Sequence, residues 1–214
     1  MPDFALERLR LAQGREFVAG VDEVGRGALC GPVVAAAVVF PAALIRKPRR
    51  AAWLRRADDS KRLAPAVREA LARVILAEAT AVGVGFATNL EVDERNVHRA
   101  GLEAMRRAIG RLSVPPEFVL IDGFRIPGLD VPQEGVLHGD RRSLSIAAAS
   151  ILAKVLRDHV LTACAALYPG YGFEDHKGYA TRAHYAALAS FGPTPFHRRS
   201  FQLELRPGAH TRPG

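Results

Sequence analysis

The chain has 214 residues, 49% of them hydrophobic, which fits one globular domain and excludes a disordered or disulfide-stabilised protein. No apolar run is long enough to cross a bilayer, and residues 1–15 do not resemble a secretory signal, so we expect a cytoplasmic protein without a membrane segment. The net charge of +8 favours a polyanionic partner such as nucleic acid, although a solvated basic surface has the same composition.

The first half of the chain predicts three strands and two helices. Apolar stretches bounded by turn residues predict strands at residues 17–22, 33–40 and 82–88. Pro65 fits the first turn of a helix, and the apolar residues from there to Ala79 keep one face. Asn89 is expected to cap a second helix that continues through Ile109. The basic segment 45–61 predicts exposed surface.

The second half predicts one more strand, a long helix and a helical end of the chain. Residues 118–122 are apolar and end on a carboxylate, which indicates a strand. Residues 145–167 predict a helix whose Ala- and Ser-rich first half allows close approach to a sheet, and residues 181–190 predict a further helix. Because strands and helices alternate, the fold class is α/β, with one domain over 1–214, a core of about 17–201 and a short irregular C-terminal tail.

The first chemical signal is the stretch 20–27, Gly-Val-Asp-Glu-Val-Gly-Arg-Gly. Adjacent side chains on a regular strand point to opposite faces, so Asp22 and Glu23 act together only if the strand bends or ends there. Gly25 and Gly27 supply the freedom for such a bend. The Gly-Arg-Gly turn also exposes backbone N–H groups beside a fixed positive charge, which suits phosphate and hydroxyl contacts. The alternative interpretation is a solvated strand end followed by a tight turn.

Two further acids stand at the edges of apolar elements. Asp122 ends a predicted strand, and Asp140 precedes the long helix, positions where Asp is also common as a turn or capping residue. Taken with Asp22 and Glu23 they form a set of oxygen donors of the kind that Mg²⁺ and Mn²⁺ prefer. The sequence has no His/Cys spacing for zinc, no phosphate-binding Gly-x-x-x-x-Gly-Lys loop and no Gly-x-Ser-x-Gly elbow.

The ordered set of motifs resembles the type 2 ribonucleases H of bacteria. The resemblance spans about residues 17–201, and its blocks lie at 20–27, 31–38, 59–63, 121–123, 139–140, 146–158, 171–173, 176–181 and 197–201. Each block alone is moderately specific, whereas the set in this order is very specific. The chain departs from the family pattern at residues 28–30, Ala-Leu-Cys for the usual Pro-Leu-Ala, and at Ala64, which replaces a capping Ser. Neither departure touches an acidic residue of the set.

The resemblance implies a ribonuclease H-like fold, with a mixed five-stranded sheet flanked by helices and a helical C-terminal region. It also implies that two Mg²⁺ or Mn²⁺ ions bind among the catalytic acids Asp22, Glu23, Asp122 and Asp140. The implied activity is endonucleolytic hydrolysis of the RNA strand of RNA–DNA hybrids, giving 5′-phosphate and 3′-hydroxyl ends. Nicking 5′ of single ribonucleotides in duplex DNA, the first step of their excision repair, is implied too.

The same resemblance implies which residues contact substrate. The turn Gly25-Arg26-Gly27 is expected to contact the ribose 2′-hydroxyl, and Tyr179 the sugar of the following nucleotide, where it favours deoxyribose. Ser60 and Lys61 are expected to contact backbone phosphate, although a helix-entry turn with a solvated Lys explains them as well. The partners are then RNA–DNA hybrid and ribonucleotide-containing duplex DNA, and the protein is expected to be a monomer.

Several other residues have two interpretations. Phosphate or hybrid contact competes with a structural role at Lys154, Arg157, His176, Lys177, His197, Arg198 and Arg199. The basic residues within 46–56 are either a distal duplex-binding patch or a solvated face, and we leave them out of the site. Cys30 lies close to the glycine turn, but no His–Asp set is evident to activate it as a nucleophile.

Two other functions fit parts of the pattern. A junction resolvase with a ribonuclease H-like fold would use the same metals on DNA, but it would not need the Gly-Arg-Gly turn or the His-Lys-Gly-Tyr block at 176–179. A non-catalytic hybrid-binding module would have no reason to place four carboxylates against phosphate.

Overall fold

Five strands form one mixed sheet in the computed structural model, which describes residues 1–47 and 63–204. They are β1 (Val18–Val24), β2 (Val33–Val39), β3 (Ala81–Ala87), β4 (Phe118–Asp122) and β5 (Gln133–Val136), in the spatial order β3-β2-β1-β4-β5. β2 pairs antiparallel with β1 and β3, whereas β4 pairs parallel with β1 and β5. The mixed five-stranded sheet expected from the resemblance is therefore confirmed.

Eight α-helices accompany the sheet in the described ranges. They are α1 (Ala5–Ala12), α2 (Ala42–Arg46), α3 (Pro65–Glu78), α4 (Asn89–Arg95), α5 (Val97–Gly110), α6 (Leu144–Ala165), α7 (Phe173–His176) and α8 (Arg182–Phe191). One turn of 3-10 helix, Gly139–Arg141, precedes α6. The sequence did not predict α1, α2, α7 or β5, which are short and have no long apolar face. None of the described helices is both long and apolar enough to span a bilayer.

The two faces of the sheet are covered by different helices. Ala19 and Val21 of β1 pack with α5 residues such as Ala104, whereas Val34 and Ala36 of β2 pack with α3 and α6. A Cβ at Gly20 would overlap the backbone of α6, so this helix can lie directly on β1 only because position 20 is glycine. The predicted close approach of the Ala- and Ser-rich half of α6 is thus confirmed.

The predicted helix through residues 89–109 is wrong in two respects. Its cap is Thr88, whose hydroxyl accepts a hydrogen bond from the Glu91 N–H while the Glu91 side chain accepts one from the Thr88 N–H. Asn89 is instead buried, and its amide donates to the Pro195 carbonyl. The helix also breaks at Asn96, which has a φ of 67° and caps α5 through its side chain.

The basic segment predicted as surface is only partly described. Residues 48–62 lie outside the described ranges, and with them the predicted sites Ser60 and Lys61. The prediction is wrong for Ile45, which is fully buried in α2 and belongs to the core cluster that contains Phe4 and Phe40.

Candidate active site

The two adjacent acids lie within β1 rather than at its end. Asp22 pairs with Ala36 and Glu23 with Ala35 in the register of β1 and β2, and the strand continues to Val24. Both acids therefore keep regular strand positions just before the strand ends, and their side chains leave opposite faces of the strand. Asp22 faces α6, where it is hydrogen-bonded to Ser150. Glu23 faces α5, where its Cγ would contact a Cβ at Gly101.

Asp122 lies at the end of the neighbouring parallel strand. Val21 pairs with Ile121, so Asp22 and Asp122 occupy adjacent positions on β1 and β4. Asp122 also lines a small cavity of about 70 Å³ together with Glu23. It is placed where its charge acts on both acids of β1 although these leave opposite faces of the strand.

The electrostatics of these acids follow from their burial. Burial raises the pKa of Asp22 well above its usual range, and the charges of Glu23 and Asp122 raise it further. Burial also raises the pKa of Glu23, opposed by Arg26, whose Nη1 lies 3.3 Å from Glu23 Oε1. The carboxylates of Asp22, Glu23 and Asp122 therefore lie close enough to repel one another, and the exposed Arg26 offsets the pKa rise of Glu23 only in part. Carboxylate oxygens in such a setting fit a hard divalent cation.

Asp140 is brought to the same edge by the 3-10 turn. The Gly139 N–H donates a 2.6 Å hydrogen bond to Asp122 Oδ1, and Asp140 is the next residue in the chain. The turn is entered through His138, which has a left-handed φ of 53°. The structure thus gathers Asp22, Glu23 and Asp122 and brings the turn that carries Asp140 up to Asp122, although these residues come from three separate segments of the chain.

The glycine turn lies directly after β1 and is held from behind by buried arginines. Gly25 has a φ of 95°, and a Cβ there would overlap the Arg157 side chain, so glycine is required. Arg198 is fully buried and donates to the carbonyls of Arg26, Ala28 and Gly31 at 2.8–3.0 Å. The side chains of Arg157 and Arg198 are structural, and neither is available to contact a hybrid directly.

Tyr179 lies beside the glycine turn. It forms an antiparallel bridge with Ala28, and the adjacent Leu29 N–H donates to the Gly178 carbonyl at 2.8 Å. Tyr179 is partly exposed. Lys154 Nζ and Arg157 Cζ each lie 5.1 Å from the centroid of its ring. Both cations are within range for attraction to the ring.

The other basic candidates are mostly occupied by protein partners. Lys154 pairs with Asp158 at 2.6 Å, and Lys177 donates to the Thr162 hydroxyl at 2.7 Å. Arg199 is exposed, whereas His176 and His197 are buried. Burial raises the pKa of the Cys30 thiol to about 12, so this thiol is not ionised at neutral pH and is unsuited to nucleophilic attack.

Two residues of the site region were not predicted. Ser150 hydrogen-bonds to Asp22, and its only signal was its place in the Ser-rich half of the long helix. His184 is fully buried and hydrogen-bonded to the carbonyl of Tyr179. No sequence signal marked it, because its partners come from other segments.

Comparison with known proteins finds matches that extend over nearly the whole chain. The family model described as Ribonuclease HII matches residues 19–204. Ribonuclease HII of Mycobacterium ulcerans (strain Agy99) is 53% identical over 92% of this chain and 80% of its own length. The crystal structure of the ribonuclease H2 from Pyrococcus horikoshii OT3 is 26% identical and covers 87% of this chain and 94% of its own, with a TM-score of 0.72.

A more distant structure shares the fold alone. It is the Bst ribonuclease HIII solved in complex with Mn²⁺, with 21% identity, a TM-score of 0.56, and coverage of 82% of this chain and 63% of its own. The match to the family model and the 53% identity to a curated relative each extend over most of the chain. The chain therefore belongs to the ribonuclease HII family and is a ribonuclease H enzyme.

Proposed function

We propose that the protein is an endonuclease that hydrolyses the RNA strand of RNA–DNA hybrids and nicks duplex DNA 5′ of a single embedded ribonucleotide. One observation carries the proposal: the acids Asp22 and Glu23 of β1, with Asp122 on the neighbouring strand, lie beside a glycine turn that is bridged to Tyr179. The acids supply the means of phosphodiester hydrolysis. The turn and the tyrosine supply the means of distinguishing ribose from deoxyribose.

We assign the binding of two Mg²⁺ or Mn²⁺ ions to Asp22, Glu23, Asp122 and Asp140. These residues would hold the ions, which would supply activation of a water molecule and offset negative charge on the scissile phosphate and the leaving 3′ oxygen. The protein orients the carboxylates beforehand, since Asp22 Oδ1 accepts from the Glu23 N–H at 2.7 Å and Asp122 Oδ1 from the Gly139 N–H at 2.6 Å. Hydrolysis in this arrangement gives 5′-phosphate and 3′-hydroxyl ends.

We assign recognition of the ribonucleotide to the turn Gly25-Arg26-Gly27. Gly25 holds a backbone conformation with positive φ, while Arg26 and Gly27 are exposed at the surface, so backbone groups of the turn can approach a 2′-hydroxyl. Arg198 fixes the position of this turn through the Arg26 and Ala28 carbonyls.

We assign the next sugar to Tyr179. Its ring is a flat apolar surface on which a deoxyribose packs and against which an additional 2′-hydroxyl would be crowded. A cavity of about 590 Å³ opens beside the ring. Its lining includes the cations Arg68, Lys154 and Lys177 as well as the carboxylates of Glu69, Asp158, Glu174 and Asp175. Ser60 and Lys61 are proposed to contact the phosphate backbone, and they lie outside the described residues.

The test uses three duplexes of one sequence: all DNA, DNA with a single ribonucleotide, and a continuous RNA–DNA hybrid. With Mg²⁺ or Mn²⁺ the protein is expected to cut the second on the 5′ side of the ribonucleotide and the third within its RNA strand, and without metal to cut neither. Cleavage of the all-DNA duplex would favour a resolvase-like nuclease. Binding of the hybrid without cleavage in any metal would favour a binding module.

A pair of variants tests the assignment of Tyr179. Tyr179→Ala is expected to reduce kcat/KM on the single-ribonucleotide duplex at least as much as on the continuous hybrid, because it removes the surface for the deoxyribose. Tyr179→Phe keeps the ring and is expected to keep the preference. If Tyr179→Ala lowers the melting temperature while leaving the ratio of the two kcat/KM values unchanged, Tyr179 only anchors its loop.

A further inference from the structure

Three buried histidines form a cluster behind the segment that carries Tyr179. The rings of His176 and His184 stack with their centroids 4.3 Å apart, and His184 Nε2 lies 3.0 Å from His197 Nε2. His184 and His197 are fully buried, and His176 is nearly so. The reaction described above uses none of these three side chains, so their burial needs another explanation.

The hydrogen-bond partners determine where the protons of this cluster lie. His184 Nδ1 is 2.9 Å from the Tyr179 carbonyl oxygen, which can only accept, so Nδ1 donates. Burial lowers the pKa of His184 and of His197 to about 4, so both rings are neutral at pH 7. His184 Nε2 is then an acceptor, and His197 Nε2 donates to it. Consistently, His197 Nδ1 accepts from the Thr194 N–H at 3.0 Å.

The hydrogen bonds account for the cluster without a bound metal. Cys30 Sγ and one ligand nitrogen each of His184 and His197 lie within 4.8 Å of one another, as in a site for a transition metal. Binding through His197 Nε2 would move the ring hydrogen to Nδ1, so Nδ1 could no longer accept from the Thr194 N–H, 3.0 Å away. The cluster is complete as a chain of neutral hydrogen bonds.

This chain of hydrogen bonds connects the C-terminal segment 194–198 to Tyr179. It runs from the Thr194 N–H through His197 and His184 to the Tyr179 carbonyl. The same segment also holds the residues that follow the glycine turn, because the Gly31 N–H donates to the Phe196 carbonyl and the Arg198 N–H to the Leu29 carbonyl. One segment therefore sets the positions of both the turn and the tyrosine.

We propose that His184 and His197 are positioning residues for substrate selection: they fix Tyr179 relative to the glycine turn, and so set the preference for a ribonucleotide followed by a deoxyribonucleotide. The inference rests on the proposed role of Tyr179. His184 and His197 take no part in the cleavage chemistry, but they are expected to affect which substrate is cut.

The test compares two amide substitutions at the same buried position. In His184→Asn the side-chain amide takes the place of Nδ1 and keeps the donor to the Tyr179 carbonyl. In His184→Gln the amide takes the place of Nε2, keeps a partner for His197 and loses the bond to Tyr179. The readout is the ratio of kcat/KM on the single-ribonucleotide duplex to that on the continuous hybrid, measured well below each melting temperature.

His184→Gln is expected to lower this ratio about fivefold, the effect of one lost hydrogen bond, whereas His184→Asn stays within about twofold of the wild type. If both variants keep the wild-type ratio while Tyr179→Ala loses it, the positioning role is wrong and the proposed function stands. If the wild type has no preference for the single-ribonucleotide duplex, the proposed function itself fails. If the kcat/KM ratio falls equally in both variants, the hydrogen bond to Tyr179 does not set the substrate preference and the positioning role is wrong.

A second pair serves if His184→Gln does not fold. His197→Gln keeps a donor at the position of Nε2, whereas His197→Asn keeps only an acceptor for the Thr194 N–H. The first is expected to keep the wild-type ratio and the second to lower it, by less than His184→Gln because it acts one bond further from Tyr179. Equal ratios in the two variants at equal melting temperature would overturn the proposal.

Discussion

Two of the regions in which this protein buries ionisable groups treat these groups in opposite ways. At the acidic edge (Asp22, Glu23, Asp122 and Asp140), carboxylates are gathered so that burial and mutual repulsion raise the pKa of two of them. In the clasp (Arg157, Arg198, His184 and His197), each side chain is hydrogen-bonded to a backbone group or to another ring. At the acidic edge, Arg26 offsets the pKa rise of Glu23 only in part, whereas the hydrogen bonds of the clasp are made within the protein.

Arg198 shows how the clasp tolerates a buried charge. Burial and the nearby Arg157 lower the pKa of Arg198 to about 10, so it stays protonated at neutral pH. Its charge is spread over the carbonyl oxygens of Arg26, Ala28 and Gly31 instead of being paired with a carboxylate. A buried charge without an oppositely charged partner therefore indicates a binding site only where no hydrogen bonds within the protein stabilise it.

The largest expected effect comes from removing a charge at the acidic edge. Asp22→Asn or Asp122→Asn should lower kcat on hybrid by on the order of 10³ or more, since a neutral amide cannot replace a metal-bound carboxylate. Asp22→Asn should also raise the melting temperature of the metal-free protein, because it removes repulsion. Steady-state kinetics at saturating metal check this, with the exposed Asp130→Asn as the control. Near-normal turnover of either variant would remove the acids from the mechanism.

The clasp should respond in the opposite sense. Arg198→Met leaves the carbonyls of Arg26, Ala28 and Gly31 without their donor and should lower the free energy of unfolding by about 3–5 kcal/mol. Arg199→Met changes the next, exposed residue and should stay within about 0.5 kcal/mol of the wild type. Urea unfolding of the two variants makes the comparison. Equal stabilities would mean that the glycine turn does not depend on the clasp.

The two regions are also expected to differ in how their contribution to the free energy of unfolding depends on pH. The pKa values of His184 and His197 are about 4 in the folded protein, against about 6.5 when unfolded, so protons bind the unfolded chain first. Their contribution is fully present above about pH 6.5 and is lost as the pH falls towards 4, by up to roughly 3 kcal/mol for each ring.

His197→Gln should therefore give a shallower loss of stability than the wild type between pH 6.5 and 4.5, as measured by urea unfolding. Asp22 and Glu23 act in the other direction, because their raised pKa makes their burial less costly as the pH falls. Measuring both proteins at each pH cancels this contribution. Parallel curves for the two proteins would show that His197 does not titrate between the folded and unfolded states.

Salt should weaken the binding of hybrid to the surface around the acidic edge more than it changes the stability that the clasp provides. If a handful of phosphates are contacted, the log–log slope of hybrid affinity against salt should be several units, whereas stability should change little over the same range. Fluorescence anisotropy at fixed Ca²⁺, chosen to avoid turnover, gives the slope. A slope near zero would exclude the basic surface from binding.

The smallest effect is expected at the Cys30 side chain: the residue's carbonyl accepts a hydrogen bond from Arg157, and its thiol packs against the clasp. Its thiol is buried and not ionised at neutral pH, so Cys30→Ser should keep most of the activity. The check is kcat/KM on the continuous hybrid alongside the melting temperature. Complete loss of activity with an unchanged melting temperature would require a mechanism that uses this thiol.

The same contrast explains what the sequence could predict. Four strands, the long helix and the four acids were predicted because apolar runs and edge carboxylates are local signals. β5 was missed because its residues, Gln133–Val136, are mixed in polarity and only the last is buried. The break at Asn96 depends on one left-handed residue, and the role of His184 depends on contacts with Tyr179 and His197. Clasps of this kind are made by tertiary contacts, which leave little local pattern.

The most direct test of the contrast is the melting temperature of the wild type, Asp22→Asn and His184→Asn as Mn²⁺ is titrated into each. The wild type and His184→Asn are expected to gain stability over the same range of Mn²⁺ concentration, because the clasp takes no part in binding the ion. Asp22→Asn is expected to start higher and to gain little. An equal gain in Asp22→Asn, or the loss of the gain in His184→Asn, would contradict the account.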